Sequence, residues 1–465
     1  MKLALRLLIV VIAASAGHLG CSSDSSSPSE PDPLALVPVR DENPDPNVVE
    51  VSLEAREAMK TYGASPPTPV WTFEGSVPGP FIDAKVGDRV IIKFKNSLPE
   101  PTTIHWHGIR LPATMDGTIA MQSPIPPGGS FRYEFVFKDA GLYWYHPHMR
   151  ADVQVQKGLY GAIRVRGSGE PVADRERVLM LDDVRLKPDG TLAEYLDDAS
   201  KMMGREGNTF LINGVADATL AMRAGASERL RIVNVANGRF FNLHLPGHVW
   251  RVIGTDGGLL PKPYDTERLL MAPGERYDVM VIANGTPGSV VDLMDEPYER
   301  GHESGHRAPH AVGHVRFSDD APLTDRKLPD AFPAIEALPD TAQLVPLVLD
   351  EAFRESGELV FTVNDFVFPN VPHVRVERGG MRVLHVMNAS EMDHPFHLHG
   401  FFFQILEKNG VRQSLESTGN KDTIILPAKS NVKLISRFDE TGHWMYHCHI
   451  LEHGEGGMMG EIHVE

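Results

Sequence analysis

The segment Gly442-His443-Trp444-Met445-Tyr446-His447-Cys448-His449-Ile450-Leu451-Glu452-His453-Gly454-Glu455-Gly456-Gly457-Met458 restricts the possible folds of this chain more than any other. Side chains alternate faces along a strand. If this segment is extended, His447 and His449 point one way and Cys448 the other, so one strand serves two metal sites joined by its own backbone. His453 and Met458 follow in a Gly-rich stretch that can fold back towards Cys448. Two histidines, a cysteine and a distant methionine are the donor set of a blue-copper electron-transfer centre.

The rest of the chain is consistent with a large exported β protein. With 465 residues it has room for two to four domains. The 42 glycines and 36 prolines favour turns over long helices. A net charge of −17 argues against nucleic-acid or anionic-membrane surfaces and mildly favours cationic substrates. Cys21 and Cys448 are the only cysteines, so a metal-bound Cys448 leaves no disulfide framework. Residues 1–20 read as an export signal: Lys2 and Arg6 precede the apolar run Leu7–Ala14 and then small residues. Gly20-Cys21 resembles a lipoprotein cleavage site, which would make Cys21 a lipid anchor, although His18 departs from the usual pattern. Residues 21–46 read as a polar tether.

From about residue 47, short runs such as Arg89–Phe94, Phe131–Phe137 and Ala162–Val165 alternate apolar and polar residues, as half-buried antiparallel strands do. A weak repeat supports three domains: Val86–Ile92 leading to Asn96, Gly225–Val235, and Gly379–Val386 leading to Asn388. Each copy reads as an early strand of a Greek-key sandwich. Their spacing, with breaks near Gly167–Gly169 and along Ser318–Asp340, divides the chain into 47–168, 169–325 and 326–465.

The first and third copies run into His-x-His pairs, and the second does not. The pairs are His105/His107, His146/His148, His397/His399 and His447/His449. His394 has the opposite parity to His397 and His399 and can face Cys448. With Cys448, His394, His453 and Met458 forming a mononuclear site, eight imidazoles remain, drawn from both ends of the chain. The first and third domains must then touch, with a cluster of about three copper ions at their interface. A structural zinc site would need only four ligands in a closed tetrahedron.

The motifs His105-Trp106-His107-Gly108, His146-Pro147-His148, His394-Pro395-Phe396-His397-Leu398-His399 and the His447-Cys448-His449 segment resemble the four copper signatures of the multicopper oxidases, in their three-domain bacterial laccase-like branch. Met115-Asp116-Gly117, Leu211–Gly214, Ala272–Asp278 and Lys421-Asp422-Thr423 are similar as well. The resemblance covers the chain from about residue 65 to its end. It implies three cupredoxin-like Greek-key β-sandwich domains, the second without copper ligands. It also implies four copper ions: one type 1 at the Cys448 site, one type 2 on His105 and His397, and two type 3 on His107, His146, His148, His399, His447 and His449. The implied reaction couples one-electron oxidation of phenols or aromatic amines to four-electron reduction of dioxygen to water.

Water formation consumes protons, so acids should lead to the cluster. Asp116 matches a family aspartate. Where relatives carry glutamate after the last blue-site histidine this chain has Gly454, which moves the acid to Glu455; Glu452 reads as a local packing or capping group. His302, His306, His310 and His314 recur in a Gly- and Pro-interrupted stretch read as a mobile loop of the second domain, and Met202-Met203 as packing or a helix turn. The chain lacks a long Met-rich insertion of the kind found in cuprous-oxidase relatives. Rival readings are oxidation of Cu(I), Fe(II) or Mn(II), and a non-catalytic copper-binding protein.

Overall fold

The computed structural model describes residues 32–465 except 195–197, 303 and 306. The export signal, Cys21 and His306 lie outside the described residues. Among the described residues no helix is long and apolar enough to cross a membrane. Residues 34–46, read from the sequence as tether, lie against the sheets. Leu34 is buried in the core of the second sandwich, and Val39 N–H donates to Phe81 O at 2.9 Å.

The chain is almost wholly β, in three two-sheet sandwiches. The first sets the strands Thr68–Phe73, Val48–Lys60, Arg89–Asn96 and Ser130–Val136, in that order, against Ile82–Lys85, Gly161–Arg166, Gly141–His146 and His105–His107. The second packs a seven-stranded sheet on a five-stranded one between Arg175 and Phe317, and the third repeats that pairing from Gln343 to Val464. One apolar core runs through the first and third sandwiches, while the second has its own.

The repeat seen in the sequence is a repeat of position. Arg89–Asn96, Ser227–Asn234 and Gly380–Asn388 each run parallel to the first strand of their sandwich and antiparallel to a later one. Each ends on a buried asparagine. Asn96 and Asn234 donate their amides to two backbone carbonyls each and Asn388 to three, and each accepts the N–H two residues on. The asparagine replaces the sheet bonds that are lost where the strand ends in the interior.

One sequence expectation is corrected here. His310 and His314 do not sit on a loop; they belong to the strand His310–Phe317, held between Val290–Asp295 and Ala218–Met222. The break near Leu293–Met294 is a bulge that admits the Gly- and Pro-rich lead-in. His314 is fixed by Asp292 at 2.7 Å and Asp217 at 2.8 Å.

Candidate metal centre

Two strand pairs build the site. His105–His107 pairs antiparallel with Gly141–His146, and His394–Leu398 with Gly442–Cys448. Period-two alternation turns His105 and His107 to one side, while His148, His399 and His449 lie just beyond the ends of the strands that carry their partners. The first and third sandwiches bring these sides together: the rings of His105 and His399, and of His107 and His397, stack at 3.9 Å. All eight imidazoles are buried.

Their hydrogen bonds fix which nitrogens face inward. Nδ1 of His105 donates to Asp116 O at 2.9 Å, that of His146 to Pro147 O at 2.9 Å, that of His397 to Asp422 O at 3.0 Å and that of His447 to Cys448 O at 2.8 Å. His399 Nδ1 donates to the Asp116 carboxylate at 2.9 Å. A carbonyl can only accept, so each tautomer is assigned and each Nε2 carries a lone pair. Among the described residues, Nε2 of His105, His146 and His397 has no hydrogen-bond partner; neither does Nδ1 of His107 nor either nitrogen of His449. The Nε2 atoms of His399 and His447 lie 3.0 Å apart, and those of His148 and His447 3.4 Å. Lone pairs at these distances in a buried space repel one another unless a cation lies between them. Burial, with the neighbouring imidazoles second, pushes His146, His148, His399 and His449 well below the ordinary histidine range and His447 to about 3. The rings are therefore neutral and ready to ligate at physiological pH.

On the other face of the Cys448 strand, Cys448 Sγ lies 3.5 Å from His394 Nδ1 and 3.7 Å from His453 Nδ1. The two Nδ1 atoms are 3.1 Å apart. Their far nitrogens are held outside the site: His394 Nε2 by Ser390 Oγ at 2.8 Å, and His453 Nε2 by Met202 O at 2.9 Å. Met458 is fully buried, and its carbonyl accepts the Cys448 N–H at 3.0 Å. Burial pushes the Cys448 thiol well above its ordinary range. A thiolate forms in such a pocket only against a cation, and a soft thiolate beside two imidazoles selects copper.

Three profiles of the multicopper oxidase family match residues 55–170, 175–291 and 342–465. A multicopper oxidase of Mycobacterium tuberculosis, MmcO, is 30% identical over 426 residues, covering 83% of this chain and 81% of that protein. The chain belongs to the multicopper oxidase family. Among solved structures, the Campylobacter jejuni multicopper oxidase described as a metallo-oxidase is 29% identical, with TM-score 0.83 over 92% of this chain and 94% of that one. A Pediococcus acidilactici laccase is 26% identical, with TM-score 0.82 over 94% of each chain. This multicopper oxidase is a copper enzyme of cupredoxin-like sandwiches. The unpartnered inward nitrogens and the buried thiol fit the metal that the family requires.

Around its centres the oxidase uses groups that the motifs do not mark. Asp422 faces His107 Nε2 at 3.4 Å and His397 Nδ1 at 3.5 Å, and Arg276 grips its two oxygens. Burial alone would raise the Asp422 pKa; the Arg276 guanidinium and the imidazole contacts outweigh it and hold the carboxyl well below the usual range. Only the segment Lys421-Asp422-Thr423 pointed to it in the sequence. Asp116, fully buried, touches both His399 and His105. Glu455 lies in the short helix Leu451–Glu455 and accepts the Ala151 N–H at 2.8 Å. Desolvation of its carboxyl, then Asp152 and Glu452, push it up to about 7. Glu452 is held by Arg205 at 3.2 Å and Asn237 at 2.8 Å.

Proposed function

We propose that this oxidase takes single electrons from phenols or aromatic amines at the Cys448, His394, His453 and Met458 site. The coppers of the eight-imidazole cluster would be held by His105 and His397, and by His107, His146, His148, His399, His447 and His449. When bound, copper supplies one-electron acceptance at the first site and reduction of dioxygen to water at the second.

The observation that carries this reading is the paired Nε2 atoms of His399 and His447, 3.0 Å apart with both Nδ1 protons already committed elsewhere. The strand Gly442–Cys448 joins the sites covalently, since Cys448 lies between His447 and His449. His447 also donates to the Cys448 carbonyl, which adds a hydrogen-bonded path beside the covalent one. Asp116 holds the His399 ring and keeps a second oxygen, Oδ1, without a hydrogen-bond partner beside His105. We assign it proton delivery to the cluster, with Glu455 as the second acid. The domain limits proposed are 47–168, 169–325 and 326–465. We place the enzyme outside the cytoplasm, in the periplasm or cell envelope with a lipid on Cys21, or otherwise secreted, on the strength of the leader sequence.

One observation favours a reduced metal ion as donor. Neither blue-site imidazole offers a free N–H to a phenol, because Ser390 and Met202 hold both. On the His394 side, Glu351 lies 4.0 Å from His394 Nε2 and 3.4 Å from the partly exposed His302, an arrangement suited to a cation. Oxygen uptake by the copper-loaded protein with a methoxyphenol, compared with Cu(I) and Fe(II), decides between the donors. Uptake with none of them would overturn the oxidase assignment.

A further inference from the structure

A second group of metal-ligating side chains lies on the outer face of the third sandwich. Three adjacent strands, Val374–Val376, Met459–Val464 and Gly442–Cys448, carry it. Glu461 and His463 are two apart and share a face. His443 is the cross-strand partner of His463. His373 precedes Val374, whose partner is Ile462, and so arrives beside Glu461. The His463 ring is stacked between His373 at 4.0 Å and His443 at 3.7 Å.

Glu461 Oε2 ties the group together, 2.8 Å from His463 Nε2 and 3.6 Å from His373 Nδ1. Donor atoms on one tetrahedral ion, bound at about 2.0–2.1 Å, sit about 3.3 Å apart. The observed separations lie on either side of that value. His373 is 41% exposed, so its ring can turn to close the difference, while His463 and Glu461 at 12% and 13% are held in place. The His443 ring lies flat on that of His463, 3° from parallel, and covers the group without turning a lone pair into it. Two imidazoles and a single carboxylate are a borderline donor set, suited to Zn(II) or Cu(II) and poor for Ca(II) or Mg(II).

We propose that His373, Glu461 and His463 form a surface site for a divalent borderline metal, separate from the redox centres, with solvent completing its shell and the His443 ring packed over it. His443 and Cys448 share a strand but stand five residues apart, about 16 Å along it. A metal here ties the edge strand Val374–Val376 to the C-terminal strand, which pairs with the strand that carries Cys448. Its role is to clamp this sheet, and electron transfer does not pass through it.

The test is titration of the fully copper-loaded enzyme with Zn(II), followed by calorimetry, metal analysis after gel filtration, and the visible absorption of the blue centre. The expected result is one zinc per chain beyond the coppers, a rise in Tm of a few degrees, and no change in the blue band. Glu461→Gln and His463→Ala should each weaken zinc binding at least tenfold. If His463→Ala fails to fold, His373→Ala at the exposed edge provides the same reading. His314→Ala, which removes a histidine held by two carboxylates on the second sandwich, should bind zinc as the parent does. No zinc beyond the coppers, or equal uptake by parent and Glu461→Gln, would overturn the proposal.

Discussion

Arg276 of the second sandwich and Asp422 of the third form a two-pronged ion pair at 2.5 and 2.6 Å, each side chain 1% exposed. The Arg276 Nε also donates to Leu142 O of the first sandwich at 3.0 Å. One guanidinium therefore joins all three sandwiches beside the imidazole cluster. Removing one partner of a buried pair costs about 3–5 kcal/mol when the other charge is left bare, and Asp256, 3.6 Å from Arg276, offsets only part of it. Asp422→Asn should lower the Tm of the copper-loaded enzyme by several degrees and reduce its retained copper. An unchanged melting curve would show that the pair is not what joins the sandwiches.

Asp116 is assigned to proton delivery, and Asp116→Asn separates that role from structure. The amide can still accept from His399 Nδ1, so copper content and the blue band should survive. Losing a positioned acid costs about 10²–10⁴ in rate. We expect kcat for oxygen reduction to fall within that range for every donor, while anaerobic reduction of the blue centre keeps its rate. Parent-like turnover would remove Asp116 from the proton path.

Gly274 tests the contribution of the second sandwich, which carries none of the proposed ligands. Its φ is +85°, and a Cβ there would lie 2.8 Å from His449 Cδ2 and 3.1 Å from His107 Cε1. Gly274→Ala should displace those rings and empty the cluster of part of its copper while the Cys448 centre stays coloured. Metal analysis combined with the visible spectrum gives the answer; full copper retention would contradict the packing described.

Stability should depend on pH through the buried Asp182. Burial pushes its carboxyl up to about 8, while the Tyr160 hydroxyl donates to it at 2.6 Å. Between an unfolded value near 4 and about 8 the folded state binds the extra proton, so the stability that the protonated form contributes is complete below pH 4 and lost as pH rises through 8. The slope from this one group is at most about 1.4 kcal/mol per pH unit. Asp182→Asn should therefore gain Tm over the parent as pH rises from 5 to 8.5. A constant difference across that range would refute it.

What the sequence revealed and what it concealed divide along a physical line. Strand parity alone separates His397 and His399 from His394, and that separation is present: His394 lies against Cys448 and the other two against the eight-ring cluster. The repeat ending in Asn96, Asn234 and Asn388 was readable because one side chain does the same work three times. The caps on the blue-site histidines were not. Met202 acts through its carbonyl, which has no residue signature, and its helix Asp198–Met203 reaches His453 across 251 positions. The Arg276–Asp422 pair was hidden for a similar reason, since long-range pairing of common charged residues leaves no local pattern.

The central claim is that the segment His447-Cys448-His449, at the end of the strand Gly442–Cys448, carries a thiolate copper centre on Cys448 and a cluster histidine on either side of it. Copper analysis and visible absorption of Cys448→Ser test it most directly. The account predicts loss of the blue band, loss of a single copper with the remaining three retained, and no donor-driven oxygen uptake. A persisting blue band, or loss of the cluster coppers together with the first, would contradict it.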